Sequence, residues 1–297
     1  MSRQPADLRA SLEARLKRDT ARSGPREINR LRKEIALQRL LARLLEAAPA
    51  GSWALKGGMS LVARLGPYAR TTQDADATWR LARRQFAGYL ADACNLDMGD
   101  GFGFRMAGQS QLDTDSPEGG ERFTFAVTLA GRIFEQAITV DINYMPGDHR
   151  PVEWIQLAVP PTAELGLGPV NLPAIPIAQQ LAEKLHAYLR IHGDVPSSRS
   201  RDLVDVLRVA LRLPIPDRQK LAISCMSTFA IRGTSWPQAI PPPPADWARP
   251  WTEFVREYDL EWPTLPVAHA AFSGFWLPVI EHPDQRGAWD ARRWEWR

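Results

Sequence analysis

LKGGMSLVARLGPYARTTQDADAT, residues 55–78, sets two unlike features close together. Gly57-Gly58 is a small-residue turn, and glycine lets backbone approach a neighbour or ligand closely. Sixteen residues beyond Gly58 stands Asp74-Ala75-Asp76. On a β-strand, positions i and i+2 share a face, so both carboxylates point the same way. Two carboxylates held side by side repel unless a cation lies between them. The stretch therefore reads as strand, glycine turn, short helix and a second strand carrying an acidic pair.

Working outward, residues 52–56 (SWALK) suit a short buried strand and 59–65 a helix closed by Gly66-Pro67. Residues 71–79 suit the second strand and 81–94 a helix. Upstream, 6–21 and 26–48 read as helices, the second with a broad apolar stripe through Ile28, Leu31, Ile35, Leu40 and Leu44. Downstream, 97–120 is rich in Gly, Asp and Ser and reads as an exposed loop or a ragged edge. ERFTFAVTLAG and RIFEQAITVDINYM, joined around Ala130-Gly131, read as an antiparallel hairpin. Residues 145–176 read as irregular and Pro-rich, 177–191 and 200–213 as helices, and the rest as helical with breaks at Pro214-Ile-Pro216 and Pro241–Pro244. This divides the chain into basic N-terminal helices (1–50), an α+β core (51–160) and a mainly helical C-terminal part (161–297).

The 297 residues are 44% hydrophobic and 24% charged, the balance of an ordinary globular protein. No apolar run spans a bilayer, and the charged N-terminus lacks the apolar region of a secretory signal. Cys94 and Cys225 make no metal or redox motif, so a cytoplasmic location is expected. The net charge of +3 is uneven: residues 1–50 hold twelve Lys or Arg against six acids, +6, leaving −3 for the remainder. Such a segment is either a phosphate-binding arm or a helical face laced with ion pairs.

The acidic pair supplies the hard oxygen ligands that Mg²⁺ or Mn²⁺ prefers, together with substrate phosphates. Asp141, on the second strand of the hairpin, is a candidate third carboxylate. Gly57 and Gly58 open a helix whose free N–H groups and dipole favour an anion, and Ser60 lies in its first turn. Together these suggest a triphosphate site. Lys56 precedes the glycines, so this is not a P-loop, and Gly101-Phe-Gly103 lacks the third glycine of a dinucleotide fingerprint. Each part alone has a plainer reading, a tight turn or a solvated strand face; their combination argues for function.

These residues carry a resemblance. GG-x-S, a spacer, D-x-D and a later strand Asp resemble the nucleotidyltransferase superfamily that includes DNA polymerase beta and the kanamycin nucleotidyltransferases. Leu55-Lys-Gly-Gly-Met-Ser-Leu61 with Arg70-Thr-Thr-Gln-Asp-Ala-Asp76 looks more closely like the AbiEii toxin family and its MenT-like branch. IAQQLAEKLHA (177–187) and RSRDLVDVL (199–207) are similar to its helices with a functional lysine, here Lys184, and an R-D-x-x-D pattern. Ala75 and Ala77 depart from it, standing where the family has bulky apolar residues.

The resemblance implies a two-lobed, polymerase-beta-like fold: a short mixed sheet with helices, plus a helical C-terminal lobe, the NTP and RNA end meeting between them. It implies metal-dependent transfer of a nucleoside monophosphate from an NTP to the 3′ end of tRNA, blocking aminoacylation, and a cognate antitoxin. The expected catalytic residues are Asp74, Asp76, Asp141, Lys184 and Asp205, the first three being the metal ligands. Lys56, Gly57, Gly58, Ser60, Arg70, Thr72 and Asp202 are expected to bind nucleotide. Asp202 and Asp205 share a helix face, and the sequence leaves open which is functional. A monomer is expected. Two other readings stand beside this one: a nucleotidyltransferase acting on a small molecule or protein, and an inactive relative that binds nucleotide or antitoxin. The Trp-Glu-Trp-Arg end of the chain either stacks on bases or staples a helix.

Overall fold

The computed structural model describes residues 4–19, 25–112, 118–160, 162–190, 199–215 and 217–297. The chain forms two units, Met1–Arg64 with Thr71–Ile175 and Leu65–Arg70 with Pro176–Arg297. Among the described residues no helix is long and apolar enough to cross a membrane.

The first unit begins with α1 (Pro5–Asp19) and α2 (Pro25–Ala47). In α2 the apolar stripe of Ile35, Leu40, Leu41 and Leu44 is buried, and so are polar side chains on its flanks. Gln38 donates to the Leu157 carbonyl, and Arg39 and Arg43 close on Asp100 at 2.7 and 2.6 Å. Buried charges persist where they are paired in this way. On α1, Leu12 and Leu16 enter the core, while Arg9 donates to the carbonyls of Leu129, Arg132 and Ile133.

Next come β1 (Trp53–Lys56), α3 (Gly57–Leu65), β2 (Asp74–Trp79) and α4 (Arg83–Asn95). They are followed by β3 (Phe102–Leu112), β4 (Gly120–Leu129), β5 (Arg132–Tyr144), β6 (Glu153–Leu157) and β7 (Val170–Ala174). One seven-stranded mixed sheet results, in the order β3-β4-β5-β2-β1-β7-β6. β2 lies between β1, antiparallel, and β5, parallel, which puts the acidic strand near the middle of the sheet. Its alternation is strict: Ala75 and Ala77 are fully buried, and Asp74 and Asp76 face the other way. The two alanines thus shape the core under α2 and α4 rather than the acidic face.

The mixed α and β architecture follows the sequence reading, but the sheet is larger than the short one expected. Residues 97–120 are not a loop throughout: β3 occupies the middle of them. Only Phe102 and Phe104 of that strand are buried, so as an edge strand it carries little hydrophobic pattern. Residues 145–176 likewise contain β6 and β7. Pro173 hides β7, yet it is tolerated because β1 meets β7 only at Leu55 and Ala174.

The second unit holds α5 (Ile177–Leu189), α6 (Ser200–Arg212), α7 (Arg218–Ile231), α8 (Ala248–Tyr258) and α9 (Leu265–Glu281). Asp217 caps α7 by accepting from the Lys220 N–H at 3.1 Å. The chain ends in a small hairpin of β8 (Trp289–Asp290) and β9 (Glu295–Trp296), which sequence reading does not anticipate. Its indoles bond backbone: Trp289 to Ala210, Trp294 to Ala271 and Trp296 to Phe275, at 2.7 to 2.8 Å. The aromatic end is therefore a staple on α6 and α9.

Candidate active site

Strand pairing brings the predicted residues of the first unit into a row. Lys56 on β1 opposes Asp76 on β2, Asp76 is level with Asp141 on β5, and Asp141 opposes Arg122 on β4. Residues in register on neighbouring strands share a face, so four strands lay out the charges plus, minus, minus, plus. Asp74 stands two residues before Asp76, on the same face.

Arg122 is the member that sequence reasoning missed. Its Nε and Nη2 donate to the two oxygens of Asp141 at 2.7 and 2.6 Å, a bidentate pair. Nη2 also lies 3.9 Å from Asp74 Oδ2. The hydrogen bonds to Asp141 hold the guanidinium above the ordinary arginine range, helped by the charges of Asp141, Asp74 and Asp76. The signal was obscured by register. A hairpin over Ala130-Gly131 pairs Leu129 with Arg132, and counting back from there opposes Asp141 to Gly120. Two irregularities between Phe125 and Thr128 shift the pairing by two, to Arg122.

The glycine turn packs directly under this row. Gly57 has φ 64°, and a Cβ there would meet Asp76 Oδ2 at 2.0 Å. A Cβ on Gly58 would meet Thr72 Oγ1 at 2.6 Å. The buried Thr72 hydroxyl in turn donates toward the Asp74 carbonyl and Oδ1, each at 3.1 Å. Both glycines thus serve the acidic strand as well as any ligand. Ser60 is fully buried and accepts from Arg64 Nε at 3.4 Å, which places it beneath the turn.

In the second unit, Lys184 on α5 donates to Asp202 Oδ1 and Asp205 Oδ2 of α6, both at 2.7 Å. Arg70 reaches the other Asp205 oxygen at 2.9 Å. Two cations and two carboxylates make a largely buried quartet, and Arg199 lies 3.8 Å from the outer Asp202 oxygen. Burial pushes the Lys184 ammonium down, but the two aspartates outweigh it and hold the group above the ordinary lysine value. Burial pushes Asp205 up, and Lys184 and Arg70 overcome it, holding the carboxylate below its usual range. Asp205 touches both cations and is fully shielded; Asp202 is its outer neighbour. The intrahelical Arg201–Asp205 pair that the spacing allows gives way to these cross-element partners.

Five of the twelve basic residues of 1–50 are held in ion pairs inside the first unit, three of them with acids outside the segment. Arg15 pairs with Glu164, Arg32 with Glu13, Arg30 with Glu27 and Glu34, and Arg39 and Arg43 with Asp100. The laced-helix reading accounts for these residues.

The sequence model of the family described as "Nucleotidyl transferase AbiEii toxin, Type IV TA system" matches residues 39–276. Among solved structures, the chain resembles MenT4, a nucleotidyltransferase toxin from Mycobacterium tuberculosis H37Rv. The identity is 21%, the TM-score 0.53, and the likeness covers 74% of this chain and 69% of that one, which shows a shared fold. JHP933 from Helicobacter pylori is more distant, at 18% identity and a TM-score of 0.41 over 68% of this chain and 79% of that one. No curated protein matches the sequence.

Proposed function

Because the chain belongs to the AbiEii nucleotidyltransferase toxin family of type IV toxin–antitoxin systems, we propose that it transfers a nucleoside monophosphate from an NTP to the 3′ end of tRNA. Blocked aminoacylation would then halt translation in the cytoplasm, and a cognate antitoxin would restrain the enzyme, which acts as a monomer. The observation that carries this reading is the charged row: three carboxylates on one sheet face, seated on a glycine turn that opens a helix.

The donor set fits a hard divalent cation. Asp74, Asp76 and Asp141 offer only carboxylate oxygens, and two of them, Asp141 at 2.6 Å and Asp74 at 3.9 Å, already face one cation, the Arg122 guanidinium. Among the described residues no three His, Cys, Asp or Glu side chains stand close enough together to form a metal cage. When bound there, Mg²⁺ or Mn²⁺ would neutralise triphosphate charge and favour in-line displacement.

The chain's own residues supply the rest. The N–H groups at the start of α3, at Gly57 and Gly58, are assigned to phosphate oxygens, which the positive end of the helix dipole favours. Lys56 flanks them, and Thr72 fixes the Asp74 carboxylate by its hydrogen bond. The acceptor hydroxyl oxygen bonds to the α-phosphorus, the bond to pyrophosphate breaks, and Asp141 takes the hydroxyl proton. Lys184 and Asp205 are assigned as further catalytic residues, and Arg70 and Asp202 as nucleotide-binding ones. Lys184 already bonds both aspartates of the quartet, so it must change partner to meet a phosphate.

The test is incubation with Mg²⁺, total tRNA and each α-labelled NTP in turn, beside an Asp74→Ala, Asp76→Ala variant. Label on tRNA that is lost in the variant supports the reading. Pyrophosphate release with no label on tRNA would sink the tRNA acceptor and favour a small molecule or protein. Absence of any turnover, with nucleotide still bound, would favour the inactive relative.

A further inference from the structure

We propose that Arg122 is a resident counter-ion that trades places with the incoming metal and nucleotide. It holds Asp141 while the carboxylate row has no metal, then releases Asp141 and pairs with a phosphate of the NTP. This rests on the reading of Asp74, Asp76 and Asp141 as the metal ligands.

Three observations carry it. First, both Asp141 oxygens are taken by one guanidinium, at 2.7 and 2.6 Å. A divalent cation cannot settle on Asp141 without meeting that charge at close range, where like charges disfavour each other. Second, Arg122 is within reach of a ligand. Its side chain is 42% exposed, against 10% for Asp141, so a phosphate can meet the guanidinium from solvent before the carboxylate beneath it is uncovered. Third, the charge count needs it. Lys56, Arg122, Asp74, Asp76 and Asp141 sum to −1. A divalent ion alone would turn this to +1 with Arg122 still seated, whereas a triphosphate restores negative charge for Arg122 to follow. Guanidinium geometry suits carboxylate and phosphate alike, since both accept two parallel N–H bonds. The arrangement makes metal binding depend on nucleotide, so that the metal-free row is stable and the loaded row is assembled by its substrate.

The experiment measures Mn²⁺ binding from the signal of the free ion, with and without an α,β-methylene NTP analogue that cannot be cleaved. It compares wild type, Arg122→Gln, Arg122→Lys and Asp76→Asn, each first shown to be folded by thermal melting. Wild type should bind Mn²⁺ weakly alone and more tightly with the analogue. Arg122→Gln should bind Mn²⁺ alone about three- to tenfold more tightly than wild type, and should lose much of the gain from the analogue. Arg122→Lys keeps the charge without the fork and should fall between them; it keeps the test open if the Gln variant does not fold. Arg122→Gln binding Mn²⁺ no more tightly than wild type, without nucleotide, would overturn the proposal. Mn²⁺ binding by Asp76→Asn equal to wild type would overturn the ligand assignment beneath it instead.

Discussion

Gly57 and Asp76 share one space: the Cβ that any other residue would carry at 57 lies 2.0 Å from the Asp76 carboxylate. The φ of 64° at Gly57 adds strain for an L side chain. Gly57→Ala should therefore push Asp76 out of the row and cost about 1–3 kcal/mol of stability. Chemical unfolding and Mn²⁺ binding with nucleotide should both fall. A variant with wild-type stability and metal binding would show that the turn is not what seats Asp76.

Lys184 is bound by two carboxylates before any substrate arrives. Removing one partner of a buried ion pair leaves a charge uncompensated. Lys184→Met should lower stability by about 3 kcal/mol as well as abolish transfer, so its lost activity must be read beside its unfolding midpoint. An unchanged midpoint would mean that the ammonium is dispensable at rest and that its role lies wholly with substrate.

The pH dependence has a sign set by the same quartet. Asp205 is depressed in the folded protein, so its stabilisation is complete above the ordinary aspartate value of 3.8 and is lost as pH falls below it. Lys184 is raised, so its contribution is complete below the ordinary lysine value of 10.5 and is lost as pH rises past it. The melting difference between wild type and Asp205→Asn should be level at neutral pH and narrow below pH 3.8. A difference that grows in acid would contradict the depressed carboxylate.

Trp296 distinguishes a staple from a base-stacking platform. Trp296→Phe keeps an aromatic ring and removes the N–H that reaches the Phe275 carbonyl at 2.8 Å. It should cost about 1 kcal/mol of stability and leave tRNA affinity unchanged in a filter-binding titration. Weakened tRNA binding at full stability would return the ring to a nucleic-acid surface.

What sequence could reveal here divides along physical lines. The Asp74–Asp76 face was legible because side chains on a strand alternate without exception, and Ala75 and Ala77 confirm the inward face. The helices were legible from their apolar stripes. β3 was not, because an edge strand with two buried phenylalanines has little pattern to show, and β7 was masked by Pro173. Arg122 could not be placed opposite Asp141 without knowing the two irregularities in the hairpin. The partners of Lys184 were out of reach for a similar reason: a helix pattern tells which side is buried, not which residue of another helix waits there.

The family likeness begins at residue 39, yet α1 lies wholly before it. Leu12 and Leu16 are fully buried, and Arg9 closes three carbonyls at the tip of the hairpin that carries Arg122 and Asp141. A chain trimmed to the shared region would lose about 1.5–3 kcal/mol of burial for each of these leucines and expose the core residues they cover. It would also free the far end of the two strands that set the charged row. The stretch matched to the family is therefore shorter than the folded body it belongs to, and a substitution in the first helix should reach the charged row through the hairpin rather than by contact.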